Sequence, residues 1–377
     1  MKKLLIMASL FWPQKNSGGP PVSILNLVKS IQGNFEISII SKNHELGETA
    51  PLPGIAKGWN EFPFGKAYYV PHGQHNFQNI TALIEQVQPD VIYQNSFFSW
   101  DDLFPVLKYK KKHPHIKVIV APRGEFYPER LQKGRLKKTV YAKLVSASGL
   151  LRDVYFQGTG KDECDQCHTL LSIPESHLVN IQNLAVVGKP ARTGIEKKPG
   201  QLRLVFIARV HPTKNILNAI LWLSSVKGQV EFDVYGPIEG EEHWQQCQEA
   251  ITALPDNIRV SYKGMVDHDQ VADVISRYHG YYMPTRGENF GHSIVESMLV
   301  GRPVVISDQT PWTDVHGVGG YAYPLNRTEQ FSAAIEQLCA MEQADYDRLC
   351  QGAKTYINKK LNTEETVAQY IRAFDGE

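Results

Sequence analysis

The chain has 377 residues, 42% of them hydrophobic and 21% charged, which is too long for one ordinary core and too mixed for a disordered chain. Forty basic against thirty-nine acidic side chains leave a formal charge of +1, which excludes a whole-protein field for nucleic acid. Five cysteines (Cys164, Cys167, Cys247, Cys339, Cys350) form an odd, thinly spread set that fits free thiols in a reducing compartment better than a disulfide framework.

Lys2 and Lys3 ahead of the apolar run 4–12 imitate the start of a secretory signal. That run is short and passes into Pro13-Gln14-Lys15-Asn16 without a small-residue cleavage site. Gly18-Gly19 then opens an amphipathic pattern, so a buried first strand and a glycine turn are expected instead. No other stretch has the apolar length to span a bilayer, and a cytoplasmic protein is the expectation.

In chain order, strands are expected at 3–9, 36–41, 90–93, 117–121, 153–157 and 179–181, with helices at 22–32, 80–88 and 131–146. Strands alternating with helices predict a parallel sheet covered on both faces, and 1–183 reads as one doubly wound domain. The stretch 184–201 loses periodicity and gathers Gly188, Pro190, Gly194, Pro199 and Gly200, the composition of a linker. A second cycle over 202–361 places strands at 202–208, 231–235, 258–263, 280–283 and 303–307. The closing segment 362–377 holds a helix at 363–374 that is free to pack on either half, the first domain included. The fold class is therefore α/β: two Rossmann-like, doubly wound parallel-sheet domains, with a ligand crevice expected between the carboxyl ends of their strands.

The richest segment is PTRGENFGHSIVESMLVGRPVVISDQTPW, beginning at Pro284. A loop carrying Glu288 runs through Phe290-Gly291 into a helix that starts near His292-Ser293 and bears Glu296 on an early turn. Free amides at a helix start favour phosphate oxygens, and Gly291 permits close backbone approach. A carboxylate beyond the phosphates can take hydrogen bonds from sugar hydroxyls, and a second one inside the helix can grip both hydroxyls of a ribose.

Glu288 and Glu296, with seven residues between them inside GENFGHSIVE, resemble the E-x7-E signature of family 4 glycosyltransferases, whose fold is called GT-B. The resemblance implies Glu288 on the donor sugar, Phe290, Gly291, His292 and Ser293 on sugar and diphosphate, and Glu296 on the ribose. After LVFIA, Arg209 and Lys214 resemble the family's Arg-x4-Lys pair, which neutralises the diphosphate leaving group without a metal. The runs VYGPIEGEEHW and KGMV also resemble the family. So does Gly18-Gly19-Pro20, where the amide of Gly19 is implied to face the donor phosphate.

The acceptor side is expected in the first domain. APRGEFYPERLQKGRLKK and the run from Tyr93 to Phe98 resemble a subset that builds bacterial surface polysaccharides. Many family members carry a histidine where Asn95 stands, so Asn95 is the candidate hydrogen-bonding group, with Arg123 and Glu125 as acceptor-side candidates or a structural ion pair. The basic segment 130–144, interleaved with Leu131, Leu136, Val140, Tyr141 and Leu144, is either a contact to an anionic membrane surface or a solvated helix face. Cys164-Asp165-Gln166-Cys167-His168 matches the haem-attachment pattern, which the failed signal reading argues against; chance occurrence is the expectation.

The resemblance thus implies transfer of a sugar, with retention, from a nucleoside-diphosphate sugar to a glycan or lipid-linked glycan. No cofactor, metal or nucleic-acid partner is expected. The departing diphosphate would itself accept the acceptor's proton, and catalysis would rest on charge stabilisation and positioning. A nucleotide-sugar 2-epimerase of the same architecture is the competing reading, and a redox role for the cysteine pair a distant third.

Overall fold

A computed structural model describes residues 1–15, 18–127, 131, 134–185 and 194–376. The chain divides into two compact units, Met1–Leu184 with Thr363–Glu377, and Ala185–Asn362.

In the first unit, β1 (Lys2–Met7) is the hub. Its residues Leu4 to Met7 are fully buried because each face of the strand meets a different apolar layer. Leu4 and Ile6 join Ile37 and Ile39 in one layer, while Leu5 and Met7 join Ile40 and Ile92 in the other. Helix α1 (Gly19–Ser30) starts three residues before the expected position. Pro20 and Pro21 lie in its first turn, where a missing N–H costs nothing. The further elements are β2 (Phe35–Lys42), β3 (Trp59–Phe62), β4 (Gly65–Val70), α2 (Phe77–Val87), β5 (Val91–Asn95), α3 (Trp100–Lys112), β6 (Lys117–Ala121), α4 (Arg135–Ala147), β7 (Val154–Gly158), α5 (Lys161–Leu171) and β8 (Leu178–Asn180).

These strands form an eight-stranded sheet in the order β3-β4-β2-β1-β5-β6-β7-β8. All neighbours are parallel except the edge pair β3 and β4, an antiparallel hairpin that strand alternation alone does not reveal. Helix α3 was also not expected: Pro105 interrupts its pattern, yet it lies in the second turn of the observed helix.

The second unit contains β9 (Gln201–Ile207), α6 (Ile216–Trp222), β10 (Gln229–Tyr235), α7 (Glu241–Thr252), β11 (Ile258–Tyr262), α8 (Val271–Ser276), β12 (Gly280–Met283), α9 (His292–Val300), β13 (Val304–Ser307), β14 (Gly320–Tyr323), α10 (Thr328–Ala340) and α11 (Gln343–Leu361). Its strands pair in parallel in the order β11-β10-β9-β12-β13-β14. Asn362, in the left-handed region at φ 37°, ends α11. The last helix, α12 (Thr363–Asp375), belongs to the first unit: Phe374 meets Phe35 and Tyr93 edge-on, with ring centroids 5.8 and 5.3 Å apart. Of the segment expected as a linker, 186–193 lies outside the described residues.

Candidate active site

In the second unit, the sheet order explains which loops meet. β10, β9, β12 and β13 are consecutive neighbours, so the loops leaving their carboxyl ends lie side by side. The β9 loop, with its short 3-10 turn Pro212–Lys214, is sewn to the β12 loop. The Thr285 hydroxyl and the Arg286 amide both donate to the Thr213 carbonyl, at 3.0 and 2.8 Å, and Asn215 Nδ2 donates to the Pro284 carbonyl at 2.9 Å. The Glu288 amide donates to the Gln309 carbonyl beyond β13 at 2.9 Å. Two chain segments some 75 positions apart thereby hold Lys214 beside Glu288 as an ion pair with both side chains largely buried.

Arg209 is placed by the other neighbour. Its Nη1 donates to both Glu239 carboxylate oxygens, at 2.9 and 2.7 Å. The strand ends approach closely at Gly236, which stands at φ 133°. A side-chain carbon there would strike the Ala208 carbonyl, so only glycine fits. Arg209 and Lys214 were expected as two cations aimed at a diphosphate. In the structure both are paired with carboxylates, and Glu239 was not among the expected site residues. The signal for it was its place in VYGPIEG, in the loop leaving the strand next to the one before Arg209.

Helix α9 begins where expected. Gly291, at φ 74° in the left-handed region, turns the chain into it, and an added side-chain carbon would crowd Ile294 Cδ1 at 3.0 Å. Phe290 is buried, edge-on to Trp312 at 5.5 Å, and its carbonyl accepts from the Trp312 indole. The His292 ring lies 4.8 Å from that of Phe290. The Ser293 hydroxyl is 2.7 Å from the Tyr281 hydroxyl, which donates to the Ile207 carbonyl at 3.1 Å. Burial raises the Tyr281 phenol, and the charges of Glu288 and Glu296 push the same way, so both carboxylates bear on this one ring.

Glu296 lies inside α9 with 5% of its surface exposed, and burial pushes its carboxyl up to about 8. Its Oε1 stands 3.7 Å from His268 Nδ1, on the loop after β11. A buried carboxyl with so little compensation is costly to the fold and is a common mark of a functional site.

The first unit has its own strand-end cluster, of another character. Asn95 Oδ1 accepts from Arg123 Nε and Nη2 at 2.9 and 2.8 Å, while its Nδ2 donates to the Met7 carbonyl at 3.1 Å. Arg123 also reaches Asn183 Oδ1 at 2.5 Å and the Tyr93 hydroxyl at 3.0 Å. Glu125 accepts from the Ser96 hydroxyl at 2.5 Å and from the amides of Phe97 and Phe98 at 2.7 and 3.2 Å. Arg123 and Glu125 thus do not form the ion pair offered as their structural alternative. Each is bound to neutral groups, and burial raises the Glu125 carboxyl against the pull of those three donors. Ser96 and Arg123 both occupy the left-handed region, at φ 74° and 57°, which side chains adopt at a cost of order 1 kcal/mol. Gly19 begins α1, after Gly18 at φ 70°.

Asp102 ties β1 to α3. Its carboxylate takes His75 Nε2 at 2.6 Å, the Ser99 hydroxyl at 2.7 Å and the Ser9 hydroxyl. Both serines sit on the carboxylate and neither on the imidazole, so this is no nucleophile–base arrangement. Cys164 and Cys167 are buried and burial raises both thiols, which disfavours the thiolate that haem or metal attachment needs. Among the described residues, no three His, Cys, Asp or Glu side chains gather as a metal site, and no helix is long and apolar enough to cross a membrane.

Residues 201–341 match the family model described as glycosyl transferases group 1, a span that holds every donor-side candidate except Gly19. Solved structures align along the whole chain. Sucrose-phosphate synthase from Thermosynechococcus elongatus shares 14% identity with a TM-score of 0.74, covering 100% of both chains. Anabaena HepE, solved with UDP and glucose, gives 14%, 0.72 and again 100% of both. WaaG, a glycosyltransferase of lipopolysaccharide biosynthesis, gives 11% and 0.68 over 99% of this chain and 100% of its own. No curated protein sequence matches. The fold is thus GT-B, two parallel-sheet α/β domains in one chain. The match to the group 1 glycosyl transferase model falls within the second unit.

Proposed function

We propose that the protein is a metal-independent, retaining glycosyltransferase of family 4. It moves a sugar from a nucleoside-diphosphate donor to a glycan or lipid-linked glycan acceptor in bacterial polysaccharide synthesis. The observation that carries this reading is the convergence of Arg209, Lys214, Glu288 and the start of α9 at adjacent strand ends, with Glu296 buried one turn further on. The relatives' ligands support the donor class: HepE was solved with UDP-glucose, and S. aureus TarM with UDP and alpha-GlcNAc-glycerol.

In this reading Glu296 takes the ribose hydroxyls and Glu288 the sugar hydroxyls. The diphosphate lies against the amides from Phe290 to Ser293, with Arg209 and Lys214 balancing the charge that builds as the bond to the sugar breaks. The acceptor hydroxyl attacks from the face the diphosphate leaves, and a diphosphate oxygen takes its proton. Asn95, Arg123 and Glu125 shape the acceptor side through the backbone they hold rather than by free side chains.

Helix α4 supports a peripheral membrane contact. Leu136, Val140 and Leu144 follow at four-residue spacing and remain 79, 48 and 66% exposed. Trp100, stacked on Phe104 at 4.4 Å, extends this apolar surface through Tyr141, 5.5 Å away. The helix carries Arg135, Lys137, Lys138 and Lys143 and no acidic side chain, the composition of an interfacial helix on anionic lipid. Arg130 and Lys133, part of the same expected contact, lie outside the described residues. Leu136→Asp with Leu144→Asp should abolish sedimentation with anionic vesicles, and unchanged sedimentation rejects the contact.

The transfer reading is tested by incubating the protein with single nucleotide sugars in the absence of acceptor. No interconversion of the donor is expected; epimerisation of the free donor overturns the reading in favour of the 2-epimerase.

A further inference from the structure

The two cations assigned to the diphosphate have different counter-ions. Lys214 is held by Glu288, which the reaction uses at the sugar. Arg209 is held by Glu239, which has no part in the reaction as derived above.

Glu239 is not a loose surface carboxylate. Its amide donates to the Val210 carbonyl at 3.0 Å, and the Val210 amide donates to the Pro237 carbonyl at 2.9 Å, so backbone bonds on both sides fix the two residues' chain positions. The contact uses Nη1 alone, across both carboxylate oxygens, and leaves the Nε and Nη2 edge of the guanidinium for another anion. The side chains of Arg209 and Glu239 are 23 and 30% exposed, which is dry enough for charge to matter and wet enough for partners to exchange.

We propose that Glu239 is a positioning residue for the diphosphate. It aims Arg209, yields it to the donor, and takes it back as the product leaves. The proposal rests on the donor-site reading above. Its chemical logic lies in the difference between donor and product. Cleavage of the bond to the sugar turns a diphosphate diester into a nucleoside diphosphate with one more ionisable oxygen, whose proton is lost near pH 6 by analogy with other phosphate monoesters (about 6). A site with two unopposed cations would hold that product more tightly than the substrate, and its release would limit turnover. A carboxylate competing for one of the cations weakens the product's hold and leaves the transition state its two positive charges.

The test is calorimetric titration of wild type, Glu239→Gln, Glu239→Asp, Arg209→Ala and the Arg209→Ala/Glu239→Gln double variant with UDP, GDP, ADP and dTDP in turn. Glu239→Gln should bind the preferred nucleoside diphosphate about tenfold more tightly, the scale of one removed like charge at this exposure. Its turnover at saturating donor should fall, with product inhibition correspondingly stronger. Glu239→Asp, which keeps the charge, should stay close to wild type. In the double variant the gain should vanish, because there is no longer an Arg209 to release. Unchanged or weaker binding by Glu239→Gln overturns the proposal and makes Glu239 a scaffold only. A wild type that binds none of the four overturns the donor-site reading itself. If only the Arg209 assignment is wrong, Arg209→Ala binds as tightly as wild type.

Discussion

Two sets of polar residues stand at the carboxyl ends of parallel strands, one in each unit, and they are built on opposite principles. In the second unit, charge meets charge: Arg209 with Glu239, and Lys214 with Glu288. In the first, the hydrogen bonds run from charge to neutral groups, with Arg123 spread over two asparagines and a tyrosine and Glu125 over one hydroxyl and two amides. An ion pair is exchangeable, since an incoming anion can replace the carboxylate and leave the cation satisfied. A charge fully bound by fixed neutral donors or acceptors has nothing to gain from a ligand and much to lose if removed. Under the proposed function, the comparison puts chemistry in the second cluster and architecture in the first.

Replacing residues one at a time should separate the two. The largest effect belongs to the second unit: Lys214→Ala should lower transfer with the preferred donor by roughly 100- to 1,000-fold, the usual loss on removing one charge-stabilising group. Its urea midpoint should also fall, because largely buried Glu288 loses its counter-ion. Arg123→Ala should act on the fold rather than on transfer. It strips partners from buried Asn95, Asn183 and Tyr93 and should cost roughly 3 kcal/mol in urea unfolding. If Arg123→Ala unfolds like wild type but fails to transfer, the first cluster is catalytic after all.

A smaller effect concerns pH. Between its ordinary value of 4.5 and the value near 8 to which burial pushes it, Glu296 holds a proton in the folded protein and has lost it in the unfolded chain. Its contribution is therefore fully present below about pH 4.5 and is lost as pH rises through 8, at up to about 1.4 kcal/mol per unit. Glu296→Gln removes that slope, so the variant should gain stability relative to wild type steadily from pH 5 to pH 8. Parallel stability curves would mean that Glu296 is ionised in the fold at neutral pH.

The sequence makes some of this legible and hides the rest for a physical reason. Glu288, Gly291 and Glu296 lie within nine positions, and the strand-loop-helix that carries them is encoded locally by GENFGHSIVE. The pairing of Arg209 with Glu239 and of Lys214 with Glu288 depends instead on which strands are neighbours, and the order β10-β9-β12-β13 cannot be read along the chain. The same holds for Arg123, whose partner is Asn183 from 60 positions away rather than the nearby Glu125 offered as its ion-pair alternative. The edge strands β3 and β4 escaped notice because aromatic residues occupy both faces, as with the adjacent Tyr68 and Tyr69 of β4, and no alternation results.

The central claim is that Glu296 reads the nucleotide and Glu288 the sugar. It is tested most directly by thermal stabilisation of wild type, Glu296→Ala and Glu288→Ala with a nucleoside diphosphate and with its sugar conjugate. A ligand well above its dissociation constant stabilises by a few kcal/mol. Glu296→Ala should lose that shift with both ligands. Glu288→Ala should keep most of it with the nucleoside diphosphate while losing the added effect of the sugar, together with transfer. If the nucleoside diphosphate stabilises both variants as well as wild type, the division of labour between the two glutamates is contradicted.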